Sequence, residues 1–251
     1  MSLKSTGIPH LNEVLDTDKS VWFQGRALWT FSTSYIEVEK REEYLSAAHN
    51  LASFIDTYCY DESDGRMFFR VSKEGKSIVK RERYVFSETF AVIGYSAYSR
   101  ATGKKEYAHK AFSLFKSIIE ILNTPGALTS KVSLVNRPTK GFGVPMILIN
   151  TAQELRKAVP EHTLYLNDMI DSFIKEIETS FVREEYEAVV EQCSDKNEVY
   201  VDHIDGRMLN PGHAIEGAWF ILEEYRNRHI ESYKTLGLKM WDWMFEKGWD
   251  K

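Results

Sequence analysis

Four tyrosines, Tyr44, Tyr107, Tyr165 and Tyr233, each stand near the start of a helical stretch, at separations of 63, 58 and 68 residues. Eight residues after the last three come Phe115, Phe173 and Trp241, all large aromatics. Before each tyrosine lies another stretch with apolar residues at spacings of three and four, so the recurring unit is a helical hairpin. Such a unit cannot bury its apolar face alone and must stack on its neighbours. The chain is therefore read as a single all-α domain spanning residues 1–251.

The boundaries follow from local signals. Helical character begins near Lys19 and runs to about Glu39, with Trp22, Arg26, Trp29, Thr33 and Ile36 in register. A partner helix is predicted over Glu42–Tyr58. The second pair is Phe86–Thr102, stopped by Gly103, and Lys105–Leu122, stopped before Pro125. The third is Gly143–Val159 with Glu161–Phe181, and the fourth Pro211–Arg228 with Glu231–Glu246. Short β-prone runs interrupt them. Met67–Val71 and Ser77–Val79, separated by Glu74-Gly75, predict one hairpin, and Glu187–His203 predicts a second. Residues 1–18 are polar, without a helical period, and are read as an arm. Arg26, Phe86, Met146 and His213 all fall on first helices, whose starting loops are expected to share one rim.

Charge and cysteine content exclude several classes. Lys and Arg total 32 against 37 Asp and Glu, a net charge of −5, which argues against a nucleic-acid partner. Cys59 and Cys193 are far apart and lack metal-like spacing, as expected of reduced cytoplasmic cysteines. No apolar run is long enough to span a bilayer and no leader-like segment follows Met1, so a cytoplasmic protein without membrane partners is expected. No phosphate-binding glycine loop or nicotinamide fingerprint is present, and no cofactor or metal is expected.

The sharpest candidate site is Arg207-Met208-Leu209-Asn210-Pro211-Gly212-His213-Ala214-Ile215-Glu216-Gly217-Ala218-Trp219. Pro211 suits the first turn of a helix, and Asn210 before it is a favoured N-cap. His213 then sits in the first turn, near the positive end of the helix dipole, which disfavours a second positive charge on the ring. Glu216, three residues on, shares its side of the helix and can orient the ring or bind a hydroxyl. On spacing alone, His213 reads equally as a polar residue at a helix start.

The string Leu209-Asn210-Pro211-Gly212-His213-Ala214-Ile215-Glu216 resembles the signature of the N-acylglucosamine 2-epimerase family of sugar epimerases. Two further stretches match it in order, Asp16–Arg26 and Tyr84–Ala91. The resemblance implies an (α/α)6 barrel, twelve helices in two rings, and a reaction that removes a proton at C2 of an open-chain sugar and returns it on the other face. It implies His213 as one acid/base group and Arg26 as a donor to the carbonyl or enediolate oxygen; ion pairing is the bland alternative for Arg26. Trp22, Phe86 and Trp219 would be walls for the sugar or ordinary core aromatics. Glu88 and Glu216 would bind hydroxyls or orient neighbours, and Asn210, like Arg207, would at least fix the loop.

The resemblance covers the middle of the family pattern. Four hairpins are expected here, without the family's initial helix and its C-terminal hairpins, and no histidine matches the family's second essential one. His203 lies nearby but in a β-prone segment. Val144–Asn150 carries no histidine where the disaccharide epimerases have one, which favours the N-acylhexosamine branch. The leading expectation is thus a 2-epimerase interconverting N-acylglucosamine and N-acylmannosamine. The alternatives are an aldose–ketose isomerase on mannose-like sugars and a non-catalytic binding fragment. An incomplete ring would expose apolar flanks, for which a homodimer is one expected cover.

Overall fold

The computed structural model describes residues 16–81, 84–128 and 137–249. Of these, 16–81, 84–128 and 154–160 form one compact unit, and 137–153 with 161–249 form a second.

The first unit holds α1 (Val21–Thr33), α2 (Glu42–Tyr58), α3 (Phe86–Thr102) and α4 (Lys105–Asn123). The predicted bounds of α2 and α3 coincide with the observed ones. The first helix starts two residues later than predicted because Lys19–Ser20 is drawn into a strand, β1. It then widens into a π turn over Ser34–Val38. β1 pairs antiparallel with β2 (Arg70–Val71), which pairs with β3 (Ile78–Lys80), so the predicted hairpin gains a third strand. Of the N-terminal arm, residues 1–15 lie outside the described residues, and 16–18 form no regular element.

In α3 every residue from Ser87 to Ser99 is buried, whereas α2 and α4 each bury one narrow stripe, Ala48, Leu51, Ala52 and Ile55 in the one and Ala108, Ala111, Phe115 and Ile118 in the other. That is the difference between a surrounded helix and a covering one. α1 packs on α3 through two glycines. A Cβ added at Gly25 would stand 2.5 Å from the Phe90 carbonyl oxygen, and one at Gly94 would stand 2.7 Å from that of Gly25. Backbone meets backbone there, and no side chain fits.

The second unit contains β4 (Thr139–Gly141), α5 (Gly143–Ala158, whose end from Glu154 clusters with the first unit), α6 (Thr163–Ser180), β5 (Val182–Arg183), β6 (Ala188–Val189), β7 (Gln192–Ser194), α7 (Ile204–Arg207), α8 (Pro211–Arg228) and α9 (Glu231–Gly248). The hairpin expected within Glu187–His203 does not form. Its first part, β6, turns back on β5, and its second part, β7, pairs with β4 in the register Thr139↔Ser194, Lys140↔Cys193 and Gly141↔Gln192. The physical reason lies at the end of α6. Phe181 and Val182 are buried, and the chain is already a strand at Val182–Arg183, two residues after α6 ends, where it takes β6 as its partner.

The tyrosine repeat has a packing role. Each tyrosine is the third residue of its helix. Tyr107 donates its hydroxyl to Asp56 of α2 at 3.2 Å, and Tyr233 donates to Asp171 of α6. Asp56 also accepts from Tyr95 at 2.5 Å and from Lys110, while Asp171 takes both arms of Arg228 at 2.7 and 2.9 Å. The following aromatics differ. Phe115 and Phe173 are buried, but Trp241 is 40% exposed and begins an aromatic run with Phe245 and Trp249 on the open face of α9.

Candidate functional site

In the second unit the start of α8 is built as its sequence dictates. The Asn210 side-chain oxygen accepts the backbone N–H of His213 at 3.2 Å, and Pro211 occupies the first turn. The backbone of His213 is thereby fixed. Its ring meets a carboxylate from outside the helix: Nδ1 lies 3.0 and 3.2 Å from the two oxygens of Glu191.

Glu191 reaches that position through the backbone on either side of it. Val190 bridges Leu209 in antiparallel register, and the Glu191 N–H donates to the Met208 carbonyl at 3.5 Å. The Glu191 carbonyl accepts from the Phe142 N–H at 3.0 Å. Phe142 is buried against Phe181 and against Gly217 of α8, where an added Cβ would stand 2.6 Å from the Phe142 ring. The Glu191 side chain is 16% exposed and the His213 side chain 44%, so the carboxylate sits behind the ring and the ring faces outward.

The carboxylate on the ring is therefore Glu191, not Glu216. Glu216 lies half-buried one turn further along α8. Trp219 is 57% exposed and leans on Phe220, with ring centroids 5.1 Å apart. Arg207 closes α7 and is exposed. His203 is engaged elsewhere, its Nδ1 being 3.3 Å from Arg137 and its ring edge-on to Tyr200.

In the first unit, Trp22, Arg26 and Phe86 come together as one cluster with Phe90. The Trp22 ring stacks on Phe86 at 5.8 Å and on Phe90 at 5.0 Å. The Arg26 guanidinium lies over Phe90 at 4.8 Å and over Trp22 at 5.7 Å. Among the described residues no carboxylate pairs with Arg26. A guanidinium held by ring faces keeps its in-plane N–H donors for a ligand. Glu88 is 1% exposed; one of its oxygens accepts from Arg66 Nε at 2.8 Å and from the Met67 N–H at 3.2 Å. It ties the turn before β2 to α3.

Sequence reasoning missed Glu191, Phe90 and the Arg66–Glu88 pair. The only local signal for Glu191 is a lone acid closing the apolar run Ala188-Val189-Val190. Among the described residues no group of three or more His, Cys, Asp or Glu side chains could hold a metal ion. No helix among them is long and apolar enough to cross a membrane. A histidine with one ring nitrogen on a carboxylate and a half-exposed ring is equipped for proton transfer.

Comparison with known proteins places this geometry in context. Residues 10–251 match the model of the N-acylglucosamine 2-epimerase (GlcNAc 2-epimerase) family. The N-acylglucosamine 2-epimerase of Bos taurus is 28% identical over 250 residues, 95% of this chain and 57% of that protein. The chain thus spans little more than half the length of the curated relatives it matches. Among solved structures, the cellobiose 2-epimerase of Bacillus thermoamylovorans superposes with a TM-score of 0.76 at 18% identity, covering 90% of this chain and 60% of that one. A D-mannose isomerase gives 0.76 at 15% identity, covering 95% and 63%. These likenesses show an all-α fold of the (α/α)6-barrel type.

Proposed function

The chain belongs to the N-acylglucosamine 2-epimerase family, and from that premise we propose that it acts on a free sugar at C2, with His213 as one acid/base group. The observation that carries this reading is the His213–Glu191 contact at the capped start of α8. In the open-chain sugar the C2 proton lies next to the carbonyl. Its removal by an imidazole nitrogen leaves an enediolate whose charge must be held by donors. The matching motif assigns such a donor role to Arg26, which in the first unit is half-wrapped in aromatic faces and has no carboxylate partner among the described residues. Trp22, Phe86 and Trp219 are assigned to the sugar's apolar faces, and Glu216 with Asn210 to its hydroxyls. Glu88, one of whose oxygens accepts from Arg66 and from the Met67 N–H, is assigned to orient its neighbours by holding the turn at Arg66.

For the substrate, the name of the Bos taurus relative and the absence of histidine in Val144–Asn150 favour an N-acylglucosamine–N-acylmannosamine pair. A D-mannose isomerase with the same fold keeps an aldose–ketose isomerase as the second reading. The two differ only in whether the enediolate is reprotonated at C2 or at C1. A non-catalytic sugar-binding role is the reading to which failure of both would lead.

Proton NMR in D2O tests this. N-acetylmannosamine, mannose and cellobiose are incubated with the chain and with His213→Ala. Loss of the C2 proton signal, slowed by about 10²–10⁴-fold in the variant, is the expected result. New glucosamine-type signals mark the epimerase and fructose-type signals the isomerase. Exchange with retained configuration marks a base working on one face alone. No exchange with any sugar, from a chain folded by circular dichroism, overturns the proposal.

A further inference from the structure

We propose that Glu191 is the positioning residue of His213: it holds the neutral ring in the Nδ1–H tautomer and so makes Nε2 the atom that accepts the substrate proton. An ionised carboxylate has only lone pairs to offer, so a ring nitrogen lying 3.0 and 3.2 Å from its two oxygens must carry the hydrogen between them. A neutral imidazole has one N–H, and if that is Nδ1–H then Nε2 is the lone-pair nitrogen. An unconstrained histidine side chain prefers the opposite arrangement, with the hydrogen on Nε2. The contact therefore selects the tautomer.

Both partners of this hydrogen bond are anchored by backbone, which is what makes the selection dependable. On one side, Asn210 caps the N–H of His213 itself. On the other, Glu191 is held through its own C=O by Phe142 and through its own N–H by Met208, while the bridge Val190↔Leu209 joins the two strands of chain one residue before each site. Leu209 precedes the capping Asn210, and Val190 precedes Glu191, so a single register sets the distance between carboxylate and ring. Phe142 is pinned in turn beneath Gly217, one turn along the helix that carries His213. Among the described residues the ring has no second hydrogen-bond partner, which leaves Nε2 for a ligand. During proton transfer to Nε2 the ring becomes a cation with two N–H groups. The hydrogen on Nδ1 stays where it was, and the charge is balanced by the carboxylate behind it.

The assignment of the tautomer stands on geometry alone; its catalytic use rests on the sugar chemistry proposed above. The test separates them. The full chain is labelled with 15N-histidine, His213 is assigned from the signals missing in His213→Ala, and ring nitrogen shifts are read without sugar at a pH where the ring is neutral. The expected result is a pyrrole-type Nδ1 and a pyridine-type Nε2. In Glu191→Ala, and in Glu191→Leu where a similar volume is kept, the two nitrogens should exchange character. Glu191→Gln, which retains an acceptor oxygen, should preserve the tautomer and rescue part of the activity. In the C2-exchange assay, loss of the acceptor should lower kcat by about 10²–10⁴-fold with KM changed less than about threefold. A pyridine-type Nδ1 in the unmodified chain, or an unchanged tautomer in folded Glu191→Ala and Glu191→Leu, overturns the proposal; a filler role for Glu191 would be met by leucine and would not move the ring shifts. The expected tautomers together with no exchange from any sugar would uphold Glu191 and remove the sugar reading instead.

Discussion

Replacing Gly25 by alanine places a methyl carbon 2.5 Å from the Phe90 carbonyl oxygen, 2.6 Å from its carbon and 2.9 Å from the Ala91 nitrogen. All three are backbone atoms of α3, so no rotamer change relieves the clash. Restoring a contact of about 3.4 Å requires α1 and α3 to part by about 0.9 Å, which loosens dispersion contacts along the whole crossing. Overpacking of this kind costs up to about 3 kcal/mol where the surroundings cannot give. Alanine returns about 1 kcal/mol through its better helix propensity. The net loss is about 2 kcal/mol, which lowers Tm by about 4–8 °C in a chain of this size. Thermal unfolding followed by circular dichroism measures it. Gly143→Ala is the matched control, because its Cβ meets nothing within 4 Å and its φ is not left-handed; it should melt no lower than the parent, and up to about 4 °C higher through helix propensity. If Gly25→Ala melts with the parent, or Gly143→Ala falls as far, the close crossing of α1 and α3 does not limit stability.

Two further perturbations probe buried polar groups. Gln153 donates to the Phe220 carbonyl at 2.9 Å and to Glu224 at 3.1 Å, and Glu224 is fully buried with Arg228 3.4 Å away. Gln153→Ala should cost about 2–3 kcal/mol in urea unfolding, since it removes a donor from a buried carboxylate; a variant as stable as the parent contradicts this. Tyr107 is pushed up to about 12, first by burial, then by the charge of Asp56 and the hydrogen bond to it. The fold favours its neutral form, so the stability this contributes is complete below pH 10 and is lost as pH rises through about 12. Phenolate absorbance assigned to Tyr107 by difference from Tyr107→Phe should appear at lower pH in Asp56→Asn; coincident titrations would refute the assignment.

Much of the helical fold was legible locally. Gly103, in the left-handed conformation at φ 72°, ends α3 where its position predicts, and Asn210-Pro211 starts α8 with the anticipated cap. The recurring tyrosines marked the second helix of each pair, and two of the four proved to tie that helix to the second helix of the preceding pair, through Asp56 and Asp171. Legibility failed at the short strands. β5 and β6 are two residues each, too short for a period of two to show, and their pairing depends on where α6 delivers the chain. Within the candidate site, His213 and Asn210 were found because capping is a rule about neighbours in sequence, and the cluster of Trp22, Arg26 and Phe86 because a matching motif pointed to it.

The sequence by itself determined that this chain makes paired helices, where most of them begin and end, and that one histidine would stand at a capped helix start. These follow from interactions among residues within a few positions of one another, where backbone preference and apolar spacing are sufficient. Only the tertiary structure decided which acid faces that histidine. Glu191 lies 22 residues away along the chain and meets the ring because Val190 bridges Leu209, whereas Glu216, nearer by sequence, makes no hydrogen bond to it among the described residues. A hydrogen bond of 3.0 Å demands a relative placement that helical periodicity cannot specify. That placement comes from backbone pairing between distant segments, and from the close approach of Phe142 to Gly217 beneath them.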